Sequence, residues 1–539
     1  MKTDSPGTRL LSSYNILVRI ASPFFAILRA VHLDAGLPFA QVLSETDIQK
    51  AFDDGGCHFA DDEGAIFTPS LTLWGFLSQM LFSGPARSCN AAVLRIRDFL
   101  LSQGKTPCSS NSSGFCKARP KIDEAVPKQL LQNTAQQSEQ KAKQDWLWNG
   151  RKHVYLVDGT EVTGTDTPEN QEKYPQPNTQ SPGCGFPMMR IVVLTSLITA
   201  MVRSIAMGPY SGKETGESAL FRQVAEDIPK GSVVVGDRYY CSYFAIAMLI
   251  QKGIDVVTRL TNKRLEALGK RDSFKRMKNG DLLVTWKRPQ RPEWMSCEEY
   301  ETMPETLTLR LVEVHVAEKG FRTRHLHVVT TLLDTDLDSR ESLAQLYRKR
   351  WHVETDLNAI KTMMGLDILR SKTPHMMRLE LLVGLLAYNL VRLMLLNSAA
   401  MAGISPRTIS FTASLSYLAL SWNRVCWMPW DVWQAQIHLN LLELAKHRVG
   451  QRPGRCEPRK VKRRQKAYPK LQKPRTQARI EMFQEIQKST LRFRQKISSK
   501  FLLLNDHSPF FDSWCSYQSQ QVGFEFTLRQ LRSPFVTFV

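Results

Sequence analysis

A mixed α/β fold with a helical N-terminal region and a β-rich insertion is the class that hydrophobic patterning predicts. The run His153-Val-Tyr-Leu-Val-Asp158-Gly159-Thr160 is β-rich and ends in an acid and a turn signal. Ser232-Val-Val-Val-Gly236-Asp237 repeats that pattern, and helical periodicity separates the two runs. Far downstream, Tyr347 to Lys361 reads Y-R-K-R-W-H-V-E-T-D-L-N-A-I-K, which has the apolar spacing of one amphipathic helix.

Residues 1–102 carry amphipathic helical runs such as Leu71–Leu81 and Ala91–Leu101, which predict a helical N-terminal domain; a DNA-binding role for it would rest on analogy alone, since no helix-turn-helix signature is present. Residues 103–124 are rich in Gly, Ser, Pro and Asn and predict a linker. A helix is expected over Ala125–Trp148, opening a core that spans 125–400. After the first acidic strand and a Pro/Gly/Asn-rich loop to Pro187, Arg190–Leu197 and Met201–Gly208 predict a strand pair. A helix over Glu217–Glu226, the second acidic strand, a helix near Tyr243–Lys252 and a strand over Ile254–Arg259 follow. Alternating patterns between about 260 and 333 predict the insertion, and Asp336, Asp338 and Ser339 offer caps for the next helix, which Gly365 ends. Residues 401–450 are expected to be helical, and 481–539 form a tail of unassigned role.

The chain has 539 residues, and 72 Lys and Arg against 51 Asp and Glu give a net charge of +21. Such an excess favours a polyanionic partner, nucleic acid ahead of a membrane surface. Within 451–480 the stretch 452–479 holds twelve Lys or Arg and one Glu, a basic arm suited to salt-sensitive, sequence-independent DNA affinity. The most apolar stretch, Leu379–Gly403, is interrupted by Glu380, Asn389 and Arg392, which predicts a buried helix and no membrane span. Ten scattered cysteines without a C-x-x-C pair predict reduced thiols in a cytoplasmic, DNA-associated protein.

Asp158 and Asp237 each close a predicted strand, where a turn exposes the side chain at the sheet edge. On a helical wheel Tyr347, Arg350, Glu354 and Lys361 fall at about 0°, 300°, 340° and 320°, beside an apolar stripe of Leu346, Val353, Leu357, Ile360 and Met364. Hard carboxylates suit Mg²⁺ or Mn²⁺, and two ions roughly 3.5–4 Å apart support phosphodiester displacement. Each acid alone has a plainer explanation, a turn former or a solvated helix residue; their order is what raises them together.

Tyr347-x2-Arg350-x3-Glu354-x6-Lys361 resembles the Y-R-E-K signature of DDE transposases of the insertion sequence 4 family. Val157–Thr160, Asp166–Asn170, Pro182–Phe186 and Gly236–Tyr243 are also similar to that family, over roughly residues 70–480. The resemblance implies an RNase H-like core with Asp158, Asp237 and Glu354 as catalytic, metal-binding residues for two Mg²⁺ or Mn²⁺ ions. It implies phosphate contacts from Tyr347, Arg350, Lys361 and Arg259. The implied partners are double-stranded DNA, as transposon ends and target, and a second copy of the chain in the DNA complex. The implied reaction is cut-and-paste transposition through a hairpin, with Trp286 or Trp294 as the aromatic that stacks a flipped base. Two alternatives stay open: a catalytically idle DNA-binding protein derived from a transposase, and an RNase H-like nuclease without strand transfer.

Overall fold

Among the described residues nine strands join in one sheet: β1 (Val154–Thr163), β2 (Met188–Ser196), β3 (Val202–Pro209), β4 (Val233–Val235), β5 (Asp255–Arg259), β6 (Ser273–Arg276), β7 (Leu282–Lys287), β8 (Thr306–His315) and β9 (His325–Thr330). The computed structural model describes residues 43–59, 65–212, 215–271, 273–315, 325–450 and 470–502. Strand order is β3-β2-β1-β4-β5-β9-β8-β7-β6. β1 to β3 form an antiparallel meander, β1, β4 and β5 run parallel, and β9 meets β5 antiparallel. The β-rich insertion therefore extends the same sheet through β9, β8, β7 and β6.

Alternation along the strands sorts their side chains onto two cores. Val154, Leu156 and Val162 of β1, with Val193, Val235 and Val257, pack on one face. Tyr155 and Val157, with Val192, Leu194, Val234 and Val256, pack on the other.

Helices of eight or more residues are numbered in chain order. α1 (Glu45–Asp54), α2 (Pro69–Leu81), α3 (Cys89–Ser102) and α4 (Ala125–Gln140) belong to the first core, whereas α5 (Glu217–Ala225) and α6 (Tyr243–Gln251) cover the second. α7 (Asn262–Arg271) leads into β6. After β9 come α8 (Arg340–Arg348), α9 (Trp351–Asn358), α10 (Pro374–Ala402), α11 (Phe411–Trp427) and α12 (Trp430–Lys446).

α10 is the axis of the first core. It is long and apolar enough to cross a membrane by length and composition, yet its most apolar window is wholly buried in protein. Burying a leucine side chain stabilises by about 2 kcal/mol, so a helix apolar on every side seeks a complete jacket. The polar residues Glu380, Asn389 and Arg392 are each matched. Glu380 accepts from Arg87 Nη2 and from the backbone N–H groups of Arg370 and Ser371. Asn389 bonds both backbone groups of Val202, and Arg392 bonds Tyr388 and Asp356.

The N-terminal helices supply part of that jacket, which corrects the expectation of a separate domain over 1–102. Trp74 of α2 stacks 5.4 Å from Trp422 of α11. The buried Arg87 donates to the carbonyls of Met364 and Gly365, each at 2.8 Å. Residues 103–124 are likewise no open linker: Cys108, Phe115 and Ile122 are buried in the same core, outweighing the polar composition around them. The helix expected over Ala125–Trp148 stops at Gln140.

Of the described residues, 43–180 with 185–450 form this unit, and 181–184 with 470–502 form a second. In the second, α13 (Arg475–Leu502) absorbs Arg475 and Arg479 of the basic arm and leaves Ile480, Phe483 and Leu491 exposed. The arm's residues 451–469, N-terminal residues 1–42 and tail residues 503–539 lie outside the described residues.

Candidate active site

Parallel register brings the two strand-borne acids together. Leu156 of β1 pairs with Val235 of β4, and Val235 with Val257 of β5. Two residues further along each chain stand Asp158, Asp237 and Arg259, so these three form one row across the sheet. Alternation aims Asp158 and Arg259 at the face that holds Val235 and Val257, the face on which α9 packs, and Asp237 lies just past the end of β4 between them. Asp158 lies within β1, which continues to Thr163 alongside β2, and so it does not end its strand as expected. The pairing with β4 has already ended two residues earlier, at Leu156. Asp237 follows β4 after Gly236, with its Oδ1 accepting from the Tyr239 N–H at 2.6 Å and its carbonyl from Thr258 Oγ1 at 2.8 Å.

The segment expected as one helix from Tyr347 to Lys361 is three pieces. Ser339 caps α8 by accepting from Ser342 N–H, while Asp338 instead pairs with Arg151. After Arg348 the chain tightens: Arg350 N–H bonds Tyr347 O, His352 N–H bonds Lys349 O and Val353 N–H bonds Arg350 O. α9 follows, and Ala359–Met363 then relaxes into a π turn, ended at Gly365 with φ +63°. Three-residue bonding overwinds a helix and π bonding underwinds it, so the two defects offset one another in phase. Leu346, Val353, Leu357, Ile360 and Met364 are accordingly all buried, as the apolar stripe predicts. Lys361 Nζ reaches across to Thr160 Oγ1 on β1 at 2.9 Å, on the same face as Asp158.

Electrostatics tie the row to the helix strip. Burial pushes the Asp158 carboxyl up to about 6; the Gly159 N–H and Arg350 oppose that shift, while Asp237 and Glu217 reinforce it. Burial likewise pushes the Tyr347 phenol up to about 12, against Arg350 and Arg259 and with Asp237. Arg350 donates to Glu354 Oε1 at 2.7 Å and also feels Asp158, so its guanidinium provides the positive charge between these two acids. Asp158, Asp237, Arg259, Tyr347 and Arg350 are thus one electrostatic neighbourhood. Glu354 joins it through Arg350, and no three-ligand metal cluster is assembled among the described residues.

As a donor set the acids fit a divalent cation. Two hard carboxylates stand side by side, partly desolvated and mutually repelling, and a third is held one guanidinium away. The cost of keeping Asp158 ionised there is what a bound cation would remove.

Two further features escaped sequence reasoning. Asp356, two residues after Glu354, is fully buried and accepts from Arg392 and from both Nη atoms of Arg407, at 3.0–3.1 Å. Arg407 also bonds the carbonyls of Ser196 and Leu197, so α9 is clamped to α10 and to the end of β2. Glu217 opens α5 beside Gly159. Nothing in the local pattern marks Glu217, whereas an acid two places after Glu354 on the apolar side of a helix was a signal for Asp356. Of the two tryptophans, Trp286 packs edge-on against Tyr243 at 5.6 Å, while Trp294 is partly exposed under the Arg222 guanidinium at 3.9 Å.

Residues 149–390, a segment of the mixed α/β sheet and its helices, match the family profile described as Transposase DDE domain. Over 315 residues the chain is 25% identical to the transposase InsG for insertion sequence element IS4 of Escherichia coli (strain K12), covering 56% of this chain and 65% of that protein. Over 144 residues it is 29% identical to InsZ of the same strain, covering 26% and 46%. The chain thus spans just under two thirds of the first relative's length and under half of the second's. A cryo-EM structure of piggyBac transposase in a synaptic complex with hairpin DNA aligns over 80% of this chain and 86% of that one, at TM-score 0.38 and 10% identity. Over the matched segment the chain is similar to DDE transposases of the insertion sequence 4 family.

Proposed function

We propose that the chain is a cut-and-paste transposase that cleaves and joins DNA at the terminal inverted repeats of its element, with Asp158, Asp237 and Glu354 holding two Mg²⁺ or Mn²⁺ ions. The observation that carries this reading is the row of Asp158, Asp237 and Arg259 beneath the strip of Tyr347, Arg350, Glu354 and Lys361. Divalent ions there would lower the pKa of an attacking water or 3′-hydroxyl and stabilise the leaving oxygen. The protein's own part is positioning. Arg350, with its planar fork, can exchange Glu354 for a DNA phosphate, which frees the glutamate to turn toward the aspartates. Lys361 and Arg259 flank that position as further phosphate contacts, and the Tyr347 phenol stays protonated as a donor. Hydrolytic nicking then frees a 3′-hydroxyl, whose attack on the opposite strand would close a hairpin. Two copies of the chain would pair the two ends.

Purified protein incubated with Mg²⁺ and DNA carrying its flanking repeats is expected to give end-specific nicks and hairpins, absent with Glu354→Ala. Equal cleavage by both proteins, or none by the wild type on its own ends, would defeat the catalytic reading. End binding without cleavage would favour the idle DNA-binding protein, and nicking without joining the plain nuclease.

Lys361→Ala is expected to weaken end binding by about 1 kcal/mol and to lower the slope of log affinity against log salt by about 1, as one lost phosphate contact should. A salt titration by fluorescence anisotropy checks it. An unchanged slope would remove Lys361 from the DNA contacts.

A further inference from the structure

Glu217 is the first residue of α5, on the face of the sheet opposite Asp158. It comes up against β1 at Gly159, where no side chain intervenes: a Cβ placed on Gly159 would lie 2.6 Å from Glu217 Cδ and 2.9 Å from its Oε1. Any larger residue at 159 would push the carboxylate away. Glu217 makes no ion pair and accepts no hydrogen bond among the described residues, where Arg190 is the cation whose charge acts on it. Arg190 itself is engaged, stacked 4.7 Å from the Tyr210 ring centroid and donating to Thr215 O. The charge of Glu217 is felt by Asp158, and that of Asp237 by Glu217. Beside the same three acids the hydroxyl of Tyr240 is buried without a hydrogen-bond partner among the described residues. Three carboxylates with no ion pair of their own among the described residues, two of them held only by one backbone N–H each, and an unsatisfied hydroxyl are costly to keep together unless something positive binds between them.

We propose that Glu217 is a fourth carboxylate for the divalent cations of the Asp158–Asp237 row, admitted to it by the missing side chain at Gly159. This rests on the metal-dependent reading of the site and extends it to a residue on the opposite face of the sheet. Glu217 approaches from the side away from Glu354, so the two glutamates would hold cations from opposite sides of the aspartate row.

The test is Mn²⁺ binding by the full chain without DNA, followed by electron paramagnetic resonance of free Mn²⁺ and by the melting temperature with and without the ion. Glu217→Gln and Gly159→Ala are each expected to weaken binding by about tenfold or to remove one ion, with Glu217→Asp intermediate. In metal-free buffer Glu217→Gln should melt no lower than the wild type. Wild-type Mn²⁺ binding by Glu217→Gln, while Asp158→Asn binds poorly, would overturn the inference and leave the site reading intact. Wild-type binding by Asp158→Asn as well would overturn both. A lower metal-free melting temperature with unaltered Mn²⁺ binding would reduce Glu217 to a structural counter-charge for Arg190, which also overturns the inference.

Discussion

Asp158→Asn is expected to lower Mg²⁺-dependent cleavage of end DNA by about 10³-fold or more, since it removes an anionic ligand where charge develops in the transition state. The same substitution should make the metal-free protein more stable. The Asp158 carboxyl titrates at about 6 in the folded chain because burial disfavours its charge, against an ordinary value near 4. Below the ordinary value both states are protonated and the aspartate costs nothing. As pH rises through about 6 the folded protein must ionise a desolvated group, and stability is lost. Above pH 6 the penalty is complete, on the order of 1–2 kcal/mol once partial exposure is allowed for. The gain on substitution should therefore appear between pH 4 and 6, reach its full size at pH 7, and shrink when Mg²⁺ is added to the wild type. Metal-free urea melts of both proteins at pH 4 and pH 7 measure it. A loss of stability at pH 7 would show that Asp158 is a structural residue.

Asp356→Ala is expected to cost about 3–5 kcal/mol of stability, because it leaves Arg392 and Arg407 buried and unpaired. Its consequence for activity runs through geometry. Asp356 is the fixed point of the short helix that carries Glu354; without it, α9 is no longer tied to α10 and to the end of β2. Cleavage should fall even at temperatures where circular dichroism shows the fold intact. Wild-type cleavage with lowered stability would mean that packing alone positions Glu354.

How far the site could be read in advance depended on the range of the signal. Runs of β-branched residues ending in Asp158 and Asp237 are local, and so was the apolar period under Glu354. That period survived the break at Lys349–Arg350 because the π turn after Asn358 returns the phase, which also made the break invisible. The side-by-side placement of Asp158, Asp237 and Arg259 comes from parallel pairing between strands far apart in sequence, and spacing carries no trace of register. The burial of residues 103–124 was masked by Ser, Gly and Pro around two strong apolar residues, Phe115 and Ile122. Glu217 was out of reach for another reason: its significance lies in the side chain that Gly159 lacks, on an element 58 residues earlier.

The jacket around α10 gives the shared stretch 149–390 an odd status. It is a unit of similarity without being a unit of folding. Excised at those bounds, α10 would be severed at residue 390, midway along its 29 residues, and would lose the flank that α2 and α4 cover. What then faced water would be a bare apolar rod of the kind translocation machinery inserts into lipid. The matched segment therefore depends on helices outside its bounds for the cover of its longest helix.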